Sequence, residues 1–110
     1  MTKAIVVDEI GGPEKLVWKE RSVAAPGPGQ LRIRQKAAGL NFIDVYFRNG
    51  TYKAPRFPFV PGKEGAGTVV AVGEGVTSFK EGDRVAYAGG EGTYCLLYTS
   101  DAADDSLRVD

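Results

Sequence analysis

An amide, a carboxylate and a phenol stand close together at Asn41, Asp44 and Tyr46, in the run Ala38-Gly-Leu-Asn-Phe-Ile-Asp-Val-Tyr46. A second phenol, Tyr52, follows, and then Pro61-Gly-Lys-Glu-Gly-Ala-Gly67. Polar groups bracketed by alanine and glycine read as one wall of an active site, with glycines that let backbone approach closely. Each residue also has a structural reading. Asn41 can cap a helix, face a site, or do both. Asp44 suits a helix start or an ion pair, and Tyr46 suits core or cleft. Gly62, Gly65 and Gly67 suit turn geometry and close packing. Trp18 reads as core.

Composition narrows the chemistry. The chain has 110 residues, room for one domain. Its one cysteine, Cys95, excludes an internal disulfide, and no histidine is present to activate that thiol or complete a zinc site. Net charge is zero, with residues 1–95 carrying 13 of 14 basic and 10 of 14 acidic groups. Scattered basic residues without a stripe do not predict nucleic-acid binding. No apolar run reaches the about 18 residues of a membrane span, and no signal pattern opens the chain, so the expected location is the cytoplasm without membrane partners.

The elements that must position these groups follow from periodicity and turn residues. Ala4-Ile-Val-Val7 and Leu16-Val-Trp-Lys-Glu20, separated by Gly11-Gly-Pro13, predict an antiparallel strand pair. Pro26-Gly-Pro-Gly29 marks a turn before the alternating strand Leu31 to Ala37. Phe42 to Arg48 predicts a short helix, with Asn41 at its N-cap, Asp44 in its first turn and Gly50 beyond its end. Pro55, Pro58 and Pro61 predict an extended loop from Lys53 to Gly62. Gly67 to Val72 and Arg84 to Ala88 predict further strands. Short strands with frequent turns indicate a mainly β fold, a barrel or sandwich with a minor helix.

Taken in order, Gly11-Gly-Pro-Glu14, Pro26-Gly-Pro-Gly29, Ala38-Gly-Leu-Asn-Phe-Ile-Asp44, Pro61-Gly-Lys-Glu-Gly-Ala-Gly67 and Glu81-Gly-Asp-Arg-Val-Ala-Tyr-Ala-Gly-Gly90 resemble the N-terminal half of a quinone oxidoreductase. That family is the zinc-independent, zeta-crystallin-like branch of the medium-chain dehydrogenase/reductases. The resemblance implies a GroES-like, partly open β-barrel with one or two short helices. It also implies hydride transfer from NADPH to a small quinone or enone, in a cleft shared with a Rossmann domain. Asn41, Tyr46 and Tyr52 would then be catalytic, and Asn41, Phe42 and Ile43 would meet the cofactor. Neutral donors suit negative charge developing on a carbonyl oxygen, because an ordinary phenol, with a pKa of about 10, keeps its proton. The zinc branch of the superfamily places a cysteine and a histidine where this chain has Asp44 and Lys63, so no zinc is expected. The complete parent is expected to be a homodimer.

Residues 1–94 are expected to form a catalytic domain cut off from its Rossmann partner, because no Gly-x-Gly-x-x-Gly exists here. Gly65-Ala-Gly67, Gly73-Glu-Gly75 and Gly90-Glu-Gly92 all lack the strand-turn-helix context. The segment 95–110 reads as foreign to the family: either translated sequencing-adapter sequence or a weakly ordered acidic tail. Such a fragment is expected to be inactive alone, marginally stable and prone to associate. The alternative, from a different class, is a free-standing GroES-like binding or assembly module without enzymatic activity.

Overall fold

Strands β1 (Thr2–Val6) and β2 (Val17–Arg21) pair antiparallel around a single 3-10 turn at Pro13–Lys15. This computed structural model describes residues 2–23, 25–89, 91–101 and 108–109. In the β1–β2 register, Thr2, Ala4 and Val6 lie opposite Arg21, Lys19 and Val17, and these three β1 residues are buried. Alternation then puts Ile5 and Trp18 together on the outer face. Trp18 is therefore not core as its size suggested; it is 50% exposed, because register sets its face.

A second sheet carries the hydrophobic core. Its order is β6-β3-β4-β5-β7, built from β3 (Gln30–Ala38), β4 (Glu64–Val72), β5 (Arg84–Ala88), β6 (Leu97–Asp101) and β7 (Arg108–Val109). Inward positions recur at every second residue: Leu31 and Ile33 on β3, Val85 and Tyr87 on β5, with Val69 between them on β4. Val76, Phe79 and Tyr98 pack against this cluster, and the Tyr87 and Tyr98 rings stack 4.8 Å apart. Gly67 lies on β4 where β3 is irregular between Gln35 and Ala37. A Cβ there would fall 2.0 Å from the Arg34 carbonyl oxygen, so only glycine allows the two strands to approach this closely.

The segment after β5 joins the two sheets. Ile5 N–H donates to the Tyr94 carbonyl at 2.9 Å, and Leu96 N–H donates to the Lys3 carbonyl at 3.0 Å. On its other side, Gln35 N–H donates to the Leu96 carbonyl at 2.9 Å. The sheets are thus bridged but not closed, which is the partly open GroES-like arrangement expected. All pairings between the described strands are antiparallel, so the doubly wound parallel sheet of a Rossmann domain is not represented among the described residues.

Strand pairing does not stop at Tyr94, where the sequence reading set the edge of the family-like segment. Residues 97–101 run antiparallel to β3, with Ile33 opposite Tyr98. The remainder of the expected tail, residues 102–107 and 110, lies outside the described residues. No helix among the described residues is long and apolar enough to cross a membrane.

The helix α1 (Phe42–Asn49) spans the expected residues plus one and ends at Gly50, whose φ of 89° lets the chain leave in the left-handed region. The proline-rich stretch after it does not run extended as expected: residues 55–58 form consecutive bends that include a cis Phe57–Pro58 bond, and Phe59 then exchanges backbone hydrogen bonds with Val7 at 2.8 and 3.0 Å. The loop after α1 is thereby tied to the end of β1.

Candidate active site

Asn41 occupies the N-cap of α1 in extended conformation, as its residue type predicts. Its backbone N–H donates to Oδ2 of Asp44, at the third helical position, across 3.0 Å. The Asn41 side chain approaches the Asp44 amide in capping-box fashion without closing a well-formed hydrogen bond.

The Asp44 carboxylate is buried, only 4% exposed. Its Oδ2 also accepts the phenolic proton of Tyr94 at 2.6 Å, while Oδ1 is buried with no hydrogen-bond partner. Asp44 is therefore neither a surface ion-pair member nor a simple dipole partner. It fastens α1 to the segment that bridges the two sheets. Burial, reinforced by the hydrogen bond and charge of Asp44, holds the Tyr94 phenol well above the usual tyrosine range.

Tyr46 and Tyr52 come together as an edge-to-face pair, ring centroids 5.3 Å apart. Phe47 packs on Tyr52 at 5.8 Å, and Tyr52 N–H donates to the Tyr46 carbonyl at 3.0 Å. Both phenols remain partly exposed, Tyr46 at 37% and Tyr52 at 47%. Of the residues expected to meet a cofactor, Phe42 is 81% exposed and Ile43 is half-buried. The neighbouring Leu40 is also exposed, so the N-terminal end of α1 presents an apolar surface.

A cavity of about 480 Å³ opens on the other side of α1, lined among others by Asp44, Phe47, Lys63, Arg21, Arg56 and Tyr98. Asn41, Tyr46 and Tyr52 do not line it. The helix thus separates two regions, an exposed phenol pair and a half-open cavity, linked through Asp44 and Phe47. Lys63 sits with its ammonium 4.9 Å from the Phe47 ring centroid and 3.9 Å from the Glu91 carboxylate.

The glycines of the Pro61–Gly67 run serve packing. Gly62 has φ 112°, and a Cβ there would meet Thr93 Oγ1 at 2.1 Å. Cys95 lies on the cavity wall, donates to the Gly92 carbonyl at 3.2 Å, and is pushed up from 9.0 to about 11 by burial, with Arg21 acting in the opposite sense. It is a poor nucleophile at neutral pH. Among the described residues, no group of three or more histidine, cysteine, aspartate or glutamate side chains is placed to hold a metal.

Sequence reasoning missed Tyr94 as a partner of Asp44, because fifty residues separate them and nothing local announces the contact. It also missed Gln35, whose amide donates to Tyr87 Oη at 2.5 Å and to the Thr93 carbonyl at 3.0 Å. A polar residue at the next alternate position after Leu31 and Ile33, inside the strand, was the available signal for Gln35.

Comparison with known proteins places this geometry. Residues 27–106 match the alcohol dehydrogenase GroES-like domain. A quinone oxidoreductase of Pseudomonas aeruginosa is 52% identical over 99 residues, covering 89% of this chain and 30% of that protein. The structure of a Pseudomonas syringae quinone oxidoreductase superposes with a TM-score of 0.92 at 47% identity, over all of this chain and 34% of the other. That of the Escherichia coli quinone oxidoreductase complexed with NADPH gives 0.91 at 39% identity, over 97% and 32%. The chain spans about a third of the length of the proteins it matches. It belongs to the alcohol dehydrogenase GroES-like domain family and, within the medium-chain dehydrogenase/reductases, to the zeta-crystallin-like quinone oxidoreductases.

Proposed function

We propose that this chain forms the substrate-facing wall of an NADPH-dependent reductase of small quinones or activated alkenes, with the nucleotide held mainly by a Rossmann domain outside this sequence. The observation that carries the reading is the Tyr46–Tyr52 pair, two partly exposed phenols held 5.3 Å apart on a packed helix end. Phenols fixed in this way can donate to an oxygen on which charge develops, without reorganising at the moment of reaction. NADPH, when bound, supplies the hydride.

The residues present fit only one end of that cofactor. The N-terminus of α1 is filled by the Asp44 carboxylate, which already accepts the Asn41 N–H and would repel a phosphate. Asn41, Phe42 and Ile43 offer an amide and apolar surface of the kind a neutral ring with a carboxamide takes up. Zinc fits the donor set poorly. Asp44 is engaged through Oδ2 by two donors, and Lys63, on the same cavity wall, brings positive charge.

Replacing the corresponding segment of the Pseudomonas aeruginosa relative with residues 1–94 of this chain tests the proposal. The hybrid is expected to oxidise NADPH with a small quinone, to resist chelators, and to lose rate on Asn41→Ala and Tyr52→Phe. A folded hybrid that turns over at the same rate with both substitutions would remove these residues from the site.

A further inference from the structure

The half-open cavity beside α1 holds more positive charge than its own carboxylates answer. Its charged lining consists of Arg21 at the end of β2, Arg56 and Lys63 between α1 and β4, Asp44 on α1 and Glu91 after β5. Both carboxylates are already engaged. Asp44 receives the Asn41 N–H and the Tyr94 hydroxyl on Oδ2, and Glu91 stands 3.9 Å from Lys63. Neither Arg21 nor Arg56 forms an ion pair with a carboxylate among the described residues. Arg21 faces this wall: it is half-buried, lies opposite the buried Thr2 in the strand register, and its charge acts on the Cys95 thiol.

Much of the remaining lining is apolar, with Phe47, Phe59 and Leu97 among it. The volume of about 480 Å³ falls within the roughly 300–1,000 Å³ of small-molecule sites, which combine apolar walls with a few polar anchors.

We propose that this cavity is a binding site for a small monocarboxylate with an apolar body, the carboxylate drawn to Arg21 and Arg56 and the body packed on the apolar wall. A guanidinium presents a planar fork of N–H donors that matches a carboxylate. Charge sets the limit. Three cations against two carboxylates leave one positive charge in excess, which a monoanion balances. A dianion would bring surplus negative charge beside Asp44. A bare inorganic anion would lose water against the apolar wall and gain nothing from it. The Tyr46–Tyr52 pair does not line this cavity, so the site stands or falls independently of the reductase reading.

Titration of the isotope-labelled 110-residue chain with sodium benzoate, at constant ionic strength and followed by amide NMR shifts, tests this. Saturable shifts at Gly62, Lys63, Gly92 and Cys95 are expected, with a dissociation constant on the order of 1 mM for so small a ligand. Benzamide has the same shape without the charge, and inorganic phosphate has charge without the apolar body. Each should bind at least about tenfold more weakly. Arg21→Gln and Arg56→Gln should each weaken benzoate about five- to tenfold while circular dichroism stays that of wild type. Arg56 sits on an exposed bend, so Arg56→Gln decides the matter even if Arg21→Gln loosens the end of β2. Arg34→Gln, exposed on β3 and outside the cavity lining, should change nothing. The proposal is overturned by benzoate that causes no saturable shift up to about 20 mM, or by benzamide or phosphate that binds as well. Unchanged affinity in folded Arg56→Gln, or an equal loss in Arg34→Gln, overturns it too.

Discussion

Tyr94 donates its phenolic hydrogen to Asp44 at 2.6 Å, joining the bridge between the two sheets to the first turn of α1. The same carboxylate oxygen holds the Asn41 N–H, so one buried atom fixes where the helix starts and which way it faces. The placement of Tyr46 and Tyr52 depends on that fastening, since α1 is too short to hold itself.

Asp44→Ala should therefore cost stability well beyond a surface change. It strands the Tyr94 hydroxyl and the Asn41 N–H in a part-buried setting, at about 2–4 kcal/mol. Asp44→Asn keeps an acceptor and should cost less, and Tyr94→Phe about 1–3 kcal/mol. A double-mutant cycle read by urea unfolding should give strong coupling; additive effects of Asp44→Ala and Tyr94→Phe would contradict the geometry.

Stability should fall on the alkaline side. Burial raises the Cys95 thiol from 9.0 to about 11 and lifts the Tyr94 and Tyr87 phenols above their ordinary 10.0, Tyr87 being partly opposed by its hydrogen bond from Gln35. The folded chain then keeps protons that the unfolded chain releases, so these contributions are complete below the unfolded values and shrink as pH rises. Urea midpoints should hold steady up to about pH 8 and decline steadily towards about pH 11, with Cys95→Ala flattening the earliest part of the decline. A midpoint that rises over that range would contradict the burial of these groups.

Two glycines should tolerate no side chain. Gly67→Ala drives a methyl into the Arg34 carbonyl, and Gly62→Ala meets Thr93 at a backbone angle unsuited to alanine. Each should destabilise by about 2–4 kcal/mol, whereas Gly75→Ala, at a turn with open space around it, should lose only the about 1 kcal/mol of an unfavourable φ. Thermal unfolding of the three variants distinguishes the cases.

In a completed enzyme, Tyr52→Phe should keep the edge-to-face packing on Tyr46 and Phe47 while removing the donor. The rate of quinone reduction is expected to fall about 10- to 100-fold with little change in stability. Tyr52→Ala should lose both. Equal turnover by the phenylalanine variant would reassign Tyr52 to packing.

Much of this was legible in the chain itself because it is local. Strand alternation at Leu31 and Ile33, the Asn41–Asp44 helix start and the Gly50 stop depend on neighbours within one turn or one strand, and the ordered motifs fixed the family. Tertiary structure alone decided the rest. Trp18 faces out because its pairing with Ile5 sets its side, not because of its size. Asp44 meets Tyr94, and the cavity opens away from Asn41, Tyr46 and Tyr52, because segments remote in sequence converge on α1. Periodicity records which residues share a face; it carries no information about which distant faces meet, since that is settled by packing the whole chain at once.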